Sequence, residues 1–350
     1  MLVKGLVMEK YTELKNQRLS LKDAIPLNTP FTLFVDPTNW CNFKCSFCPR
    51  NQSDFEQYAG KFTHMSLQLF KKIAQDLHAF PNKLKVLRLF YLGEPLLCPD
   101  FLPILRTAAE ENLAERIEIS TNASLLSEKI ACGILDIARQ YSANIYLRIS
   151  IYSVIQEKFE KITLSPISID DIYHNVAVFH KQKQIRGGTV RVYAKMLESY
   201  DDESRLFLET YRPIVDEVEL EEPMEWSGYG KQDLLADVYS KEVIAKLNAK
   251  KMPKACAYPF HTLAIQSDGK VVCCCVDWSR HTLVGDVTKE SLLDIWNGAA
   301  LRNLRILHLS GKRYDNEACR NCLKLPCGGS YDMDNLDDVS PEVLNTKYDR

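Results

Sequence analysis

No apolar run in the 350 residues approaches the roughly 18 that a membrane-spanning helix needs. The opening stretch MLVKGLVMEKYTELKNQRLSLKD lacks both the long apolar segment and the small-residue cleavage site of a secretory signal. The expectation is a cytoplasmic protein with no membrane partner. Excess charge of one sign is also missing: the formal net charge is −2, which removes the global electrostatic case for a nucleic-acid partner. There is no internal repeat and no low-complexity segment, so solenoids and disordered tracts are not expected. With 46% hydrophobic and 26% charged residues, the chain has the material for one large or two medium domains with a real core.

What the chain has in quantity is cysteine, 12 in all. In a reducing compartment these are not expected to form a disulfide framework, and their clustering at 41–48, 256–275 and 319–327 favours metal binding. Cys98 and Cys132 stand apart and are expected to be core thiols. The first cluster, in TNWCNFKCSFCPR (38–50), places Cys41, Cys45 and Cys48 within eight residues, without a fourth. A closed zinc site takes four ligands, and a disulfide would leave one thiol over. Three thiolates with an open fourth position suit an iron–sulfur cube.

Strand-like apolar runs alternate with helix-periodic stretches. FTLFVDP from Phe31 is followed by a helix after His64 with apolar residues at 65, 67, 69, 70, 73, 74 and 77, the stripe of an amphipathic helix. Further strands are expected at 84–92, 115–121, 143–151, 189–197 and 215–222, with helices from about 100 and at about 126–140, 169–184 and 202–211. Six such units predict parallel strands in a barrel or a doubly wound sheet, with ligands at the carboxyl ends of the strands. The Gly- and polar-rich stretch MEWSGYGKQD (224–233) marks a boundary before a different C-terminal part. Beyond it, LAIQSDGKVVCCC reads as a β-hairpin turning at Asp268-Gly269, which would bring Cys256 near Cys274.

The Cys-x3-Cys-x2-Cys spacing, with Phe47 before the last cysteine, resembles the signature of radical S-adenosylmethionine (SAM) enzymes. The resemblance implies that Cys41, Cys45 and Cys48 hold a [4Fe-4S] cluster whose fourth iron takes the amino and carboxylate groups of SAM. YLGEP (91–95) is similar to the family's Gly-Gly-Glu-Pro stretch with Leu92 in place of one glycine, which implies Gly93 and Glu94 as SAM contacts. ISTNA (119–123) and RISIYS (148–153) resemble the family's ribose and carboxylate segments, implying Ser120, Thr121, Asn122 and Ser150, with Arg191 as another carboxylate partner. The implied fold is α/β: a partial (β/α)6 TIM-like barrel over 31–225, preceded by an N-terminal extension (1–30) and followed by a small α/β iron–sulfur domain (226–325) and a tail or substrate lid (326–350).

That smaller domain resembles the SPASM or twitch auxiliary-cluster region through Cys256, Gly269, Cys274, GDV (285–287), IWN (295–297) and Cys319-x2-Cys322. The implied ligands of one auxiliary [4Fe-4S] cluster are Cys256, Cys274, Cys319 and Cys322, with Cys275 as second choice over Cys273. Cys327 is left as a structural thiol, a substitute ligand or a hydrogen donor for an epimerase, and four such cysteines also suit zinc. For the substrate, Glu225, Asp277 and Arg280 are the catalytic candidates, beside Glu221, Glu222 and Trp226. The expected activity is hydrogen abstraction from a carbon of a small sugar- or cyclitol-like metabolite, with the auxiliary cluster as electron acceptor or relay and an external donor such as flavodoxin or ferredoxin. About 30 residues precede the first strand, short for the peptide-recognition module of many relatives. The alternatives are a maturase of a ribosomal peptide or protein side chain, an epimerase, and a nonenzymatic redox sensor.

Overall fold

The computed structural model describes residues 20–199, 201–221, 253–320, 322 and 335–347. Six strands run parallel in chain order: β1 (Thr32–Val35), β2 (Leu84–Arg88), β3 (Ala114–Thr121), β4 (Ile145–Ile151), β5 (Arg191–Leu197) and β6 (Glu217–Glu221). An order that never reverses is that of a barrel, whereas a doubly wound sheet contains a switch point. The sheet is open rather than closed. Its other side continues through β7 (Thr262–Ile265), parallel to β1, and then antiparallel through β8 (Lys270–Val272) and β9 (Leu283–Asp286), giving the order β6-β5-β4-β3-β2-β1-β7-β8-β9. The auxiliary hairpin is thus an extension of the barrel sheet.

Helices cover one face of this sheet. They are α1 (Leu67–Leu77), α2 (Phe101–Glu110), α3 (Glu128–Gln140), α4 (Gln156–Thr163), α5 (Ile169–Arg186) and α6 (Asp202–Tyr211). Serine caps start several of them: Ser66, Ser127 and Ser168 accept from the backbone N–H groups of Leu69, Ile130 and Asp170, satisfying donors that the first turn leaves open. Their apolar stripes, such as Phe70, Ile73, Ala74 and Leu77 of α1, are buried in the same core as strand residues such as Ile145, Leu147, Ile149 and Ile151. The alternate residues of β4, Tyr146, Arg148 and Ser150, are half-buried on the opposite, inner face, as the period of two requires.

Sequence periodicity missed α4 and β9, and the stretch SLLDIWNGAALRNLRIL (291–307), whose periodicity alone suits one helix, is not continuous. The structure breaks that stretch into α7 (Leu292–Asn297) and α8 (Ala299–Leu309). Gly298 is extended, with φ −70° and ψ 158°, and a Cβ there would stand 2.8 Å from the carbonyl oxygen of Asp294. The end of the chain, expected as a tail or lid, is packed where described: Leu336 and Leu344 are buried with Leu21, Ile25, Phe260 and Leu309. Among the described residues no helix is long and apolar enough to cross a membrane.

Candidate active site

The loop after β1 carries the first three cysteines and is strapped to residues 61–63. Thr38 Oγ1 donates to the Thr63 carbonyl at 3.1 Å, Asn39 Nδ2 donates to the Lys61 carbonyl at 3.0 Å, and Asn39 Oδ1 accepts from the Thr63 amide at 2.7 Å. Arg50 donates to the carbonyls of Asn39 (2.8 Å) and Phe43 (3.2 Å), which turns the loop around one cation. Burial pushes the Cys41 thiol up to about 12, with Glu94 adding to the rise; burial also raises Cys45 and Cys48. Thiols held this way ionise only against a compensating positive charge, and iron replacing their protons supplies one. The donor set therefore fits a three-thiolate cluster.

Gly93 presses directly on this loop. A Cβ at Gly93 would lie 2.1 Å from the Thr38 carbonyl oxygen and 2.3 Å from that of Trp40, so no other residue fits without moving backbone. The next amide, Glu94 N, donates to the Trp40 carbonyl at 2.8 Å. The Glu94 carboxylate, 3% exposed, accepts from Thr121 Oγ1 (2.6 Å), Asn122 N (2.8 Å) and Leu96 N (3.2 Å). These three donors leave room on its roughly four lone-pair sites for one more. Burial raises Glu94 to about 7 against the pull of those donors. Asn122, Asn42 and Ser124 form a closed hydrogen-bonded ring: Asn122 Nδ2 to Asn42 Oδ1 (3.0 Å), Asn42 Nδ2 to Ser124 Oγ (2.8 Å) and Ser124 Oγ to Asn122 Oδ1 (2.6 Å).

Thus Cys41, Cys45, Cys48, Gly93, Glu94, Thr121 and Asn122 converge on one end of the barrel. Ser120 and Ser150 meet across β3 and β4 at 3.4 Å, and Phe47 packs on Tyr152 with ring centroids 5.8 Å apart. Arg191 does not join them. It is the first residue of β5, exposed, and pairs with Glu217 at 2.6 Å, at the amino end of a strand whose carboxyl end faces the site. The strand expected at 189–197 already puts it near the amino end, so its candidacy as a carboxylate partner is not supported. Asn42 and Tyr152 escaped notice because, although they lie within TNWCNFKCSFCPR and RISIYS, they are not the positions that carry the resemblance.

The inner face of the barrel below this end is polar. Glu118 faces Arg88 (2.8 Å), Arg116 (2.7 Å) and Arg148 (3.8 Å), and Glu221 faces Lys195 (2.6 Å) and Arg148 (3.3 Å). Burial alone would raise Glu118, but the three guanidinium groups outweigh it and hold the carboxyl below its ordinary range.

A second cavity lies within the C-terminal part, lined by Cys256, Cys273, Cys274, Cys319 and Cys322 together with His308 and Arg313. Cys275, the alternative drawn from sequence, is outside that lining and packs in an apolar group with Phe34, Tyr91 and Trp278. Cys273 takes its place as the alternative to Cys274. Burial raises the thiols of Cys256 and Cys273, and pushes Cys319 up to about 12, while burial and then Arg313 push the His308 imidazole down to about 3. Five thiols that need a positive charge, beside a buried arginine that needs a negative one, fit a metal–thiolate cluster.

Two catalytic candidates are occupied elsewhere. Asp277 is fully buried, and its carboxylate accepts from Thr282 N (2.6 Å), Thr282 Oγ1 (2.7 Å), Ser279 Oγ (3.0 Å) and His281 N (3.3 Å). It closes the loop after Cys275 and lines the cysteine cavity of the C-terminal part. Arg280, at φ +63°, donates to Gln266 and, at 2.8 Å, to Asp268, holding the hairpin turn. Glu225, Glu222, Trp226 and Cys327 lie outside the described residues. One side chain joins the two sites: Tyr91 donates from its hydroxyl to the carbonyls of Asp277 (2.8 Å) and Cys274 (3.3 Å). The next amide, Leu92 N, donates to buried Asp36 at 3.2 Å.

Residues 35–203 match the Radical SAM superfamily, and residues 256–323 match SPASM, the iron-sulfur cluster-binding domain. The chain is 20% identical over 288 residues, 82% of its length and 90% of the relative's, to the S-adenosyl-L-methionine-dependent 2-deoxy-scyllo-inosamine dehydrogenase of Niallia circulans. Among solved structures it resembles BtrN in complex with AdoMet and 2-DOIA, at 18% identity and a TM-score of 0.50, covering 83% of this chain and 92% of that one. It also resembles Streptococcus suis SuiB bound to the precursor peptide SuiA, at 17% identity and a TM-score of 0.58, covering 92% and 76%. At these identities the structural likenesses establish the fold. With both domain matches in place, the chain belongs to the Radical SAM superfamily and is a radical SAM enzyme with a SPASM domain, a pairing that carries a SAM-binding [4Fe-4S] cluster and auxiliary iron–sulfur.

Proposed function

We propose that the protein is a dehydrogenase of a small polyhydroxylated, cyclitol-like metabolite. The observation that carries this is the polar inner face under the Glu94 end of the barrel, where Arg148, Lys195 and Glu221 offer donors and acceptors suited to hydroxyl and amino groups. The likeness to the Niallia circulans dehydrogenase of 2-deoxy-scyllo-inosamine supports the same substrate class.

In this reading Cys41, Cys45 and Cys48 hold the first cluster, which together with SAM supplies the 5′-deoxyadenosyl radical that takes hydrogen from carbon. Glu94 uses its remaining acceptor site for the ammonium of SAM, held at fixed orientation by Thr121 and the Asn122 amide. The Asn42–Asn122–Ser124 ring braces the cysteine loop against the end of β3. Gly93 permits the close approach. Oxidising a carbinol carbon to a ketone also releases the hydroxyl proton, and Glu221 is the carboxylate on the inner face placed to take it, with Lys195 and Arg148 balancing its charge. Flavodoxin or ferredoxin is the proposed class of electron donor.

The test is anaerobic reconstitution followed by incubation with SAM, a reductant and 2-deoxy-scyllo-inosamine or related cyclitols. Substrate-dependent 5′-deoxyadenosine and a product two hydrogens lighter are expected, with about eight irons per chain falling to about four in the Cys41/Cys45/Cys48→Ala variant. Turnover of a peptide and of no cyclitol would move the substrate to the other class.

A further inference from the structure

Two side chains in the second cavity are not explained by thiolate ligation alone. His308, on α8, is 1% exposed, and its Nδ1 stands 3.1 Å from the backbone N–H of Cys256. That group can only donate, so Nδ1 is the acceptor and the neutral ring carries its proton on Nε2. Nε2 in turn lies 3.7 Å from Cys319 Sγ, a distance suited to a hydrogen bond to sulfur. The ring is thereby fixed at both nitrogens, with its one donor aimed at a thiol of the site.

Arg313 is also 1% exposed. Its Nε donates to the Pro253 carbonyl at 2.9 Å, Nη1 to the Cys319 carbonyl at 3.1 Å, and Nη2 to Tyr314 Oη at 3.1 Å. Among the described residues no carboxylate pairs with it. A buried cation held by neutral oxygens and the face of the Tyr314 ring is costly unless an anion lies close by. Asp277 lines the same cavity, but its carboxylate is taken up by Ser279, His281 and Thr282 and makes no ion pair with Arg313, and the anion left for the guanidinium is a cluster of thiolates. The two groups meet on Cys319, one at its sulfur and the other at its carbonyl.

We propose that His308 and Arg313 are positioning residues that set the reduction potential of the auxiliary cluster, His308 by donating Nε2–H to the Cys319 sulfur and Arg313 by holding a fixed positive charge beside it. A donor to a ligand sulfur and a nearby cation both favour the more negative, reduced state, so both raise the potential. The inference deepens the proposed dehydrogenase, because a substrate radical that becomes a ketone must lose one electron as well as its proton. The potential itself does not depend on which substrate is oxidised.

The experiment uses the full-length chain with Cys41/Cys45/Cys48→Ala, so that the auxiliary cluster alone is titrated by electron paramagnetic resonance. His308→Leu and Arg313→Met are each expected to lower the reduced-to-oxidised ratio at fixed potential about tenfold, equivalent to 59 mV for one electron. His308→Gln, which keeps an N–H donor, and Arg313→Lys, which keeps the charge, are expected to stay within about threefold of the parent by the same conversion. Unchanged potentials in variants that retain iron overturn the proposal, as does an equal fall in the conservative pair. Should the variants lose iron, nuclear double resonance on the parent labelled with 15N-histidine decides: weak coupling through a hydrogen bond supports the assignment, while no coupling or the strong coupling of a direct iron ligand overturns it. If the potentials shift as stated and no cyclitol is ever oxidised, the substrate assignment fails and this one stands.

Discussion

The two cysteine sites are built from the same ligand atom and have opposite surroundings. Beside the first lies a buried carboxylate, Glu94, with amides and hydroxyls grouped around it. Beside the second lie a buried guanidinium and an imidazole aimed at sulfur. A negative group next to the three-cysteine site suits capture of a cationic cosubstrate, and a positive group next to the closed site suits storage of an added electron. On the function proposed above, the two sites would differ less in their ligands than in the charge placed behind them.

Breaking one side at a time sharpens this contrast. The largest effect is expected from Gly93→Ala, whose methyl group would collide with two backbone carbonyls of the cysteine loop. Iron is expected to drop from about eight to about four per chain with SAM binding lost, as read by iron analysis and equilibrium dialysis; tight SAM binding by this variant would show that the close approach is dispensable. Next comes Glu94→Gln, which removes the charge and leaves the shape. SAM affinity is expected to fall about tenfold to a hundredfold, the worth of a charge-assisted hydrogen bond, while the auxiliary potential stays where it is. An equal loss of auxiliary signal would contradict the separation of the two sites.

A smaller effect tests the hairpin that carries the second site. Burial alone would raise Asp286, but Lys270 and the Thr288 hydroxyl and amide outweigh it and hold the carboxyl at about 2, below its ordinary 3.8. A carboxyl depressed by folding stabilises above its unfolded value, and that stability disappears as pH falls from about 4 towards 2. Asp286→Asn is therefore expected to cost about 1–2 kcal/mol near neutrality, shrinking to nothing near pH 2; chemical denaturation across that range checks it. The smallest effect belongs to Tyr91→Phe, which removes the hydroxyl joining the sites at a cost of about 1 kcal/mol. Its interest lies in direction, since SAM affinity and auxiliary-cluster retention are expected to weaken together. Movement of only one would mean that the hydroxyl serves a single site.

Much of the first site could be read from sequence because its residues sit in short spaced motifs at strand ends, where one β/α unit fixes the position of each. Arg191 shows the limit of that method: its charge makes it a candidate carboxylate partner, although the strand expected at 189–197 already puts it at the end away from the ligands. Asp277 and Arg280 show another limit, since a charged pair after three cysteines gives no sign that loop amides and a hairpin turn will absorb both. Choosing among Cys273, Cys274 and Cys275 is beyond a period-two reading because all three follow the end of β8, in a turn where strand alternation no longer sets the facing of a side chain. His308 and Arg313 were silent because they reach the cavity from a helix and the turn after it and occupy no spaced position of a motif, although they stand only eleven and six residues before Cys319.

The pairing of β1 with β7 also bears on how the chain acquires its shape as it leaves the ribosome. Thr32 lies opposite Thr262, 230 positions later (262 − 32), and at roughly 5–20 residues per second the interval is on the order of 10–50 s. For that time one flank of β1 has a neighbour in β2 only, and its free amides are open to pairing with another nascent chain. Assembly of this enzyme is thus expected to wait on the arrival of its last quarter, and truncation before β7 is expected to yield aggregate in place of a smaller working barrel.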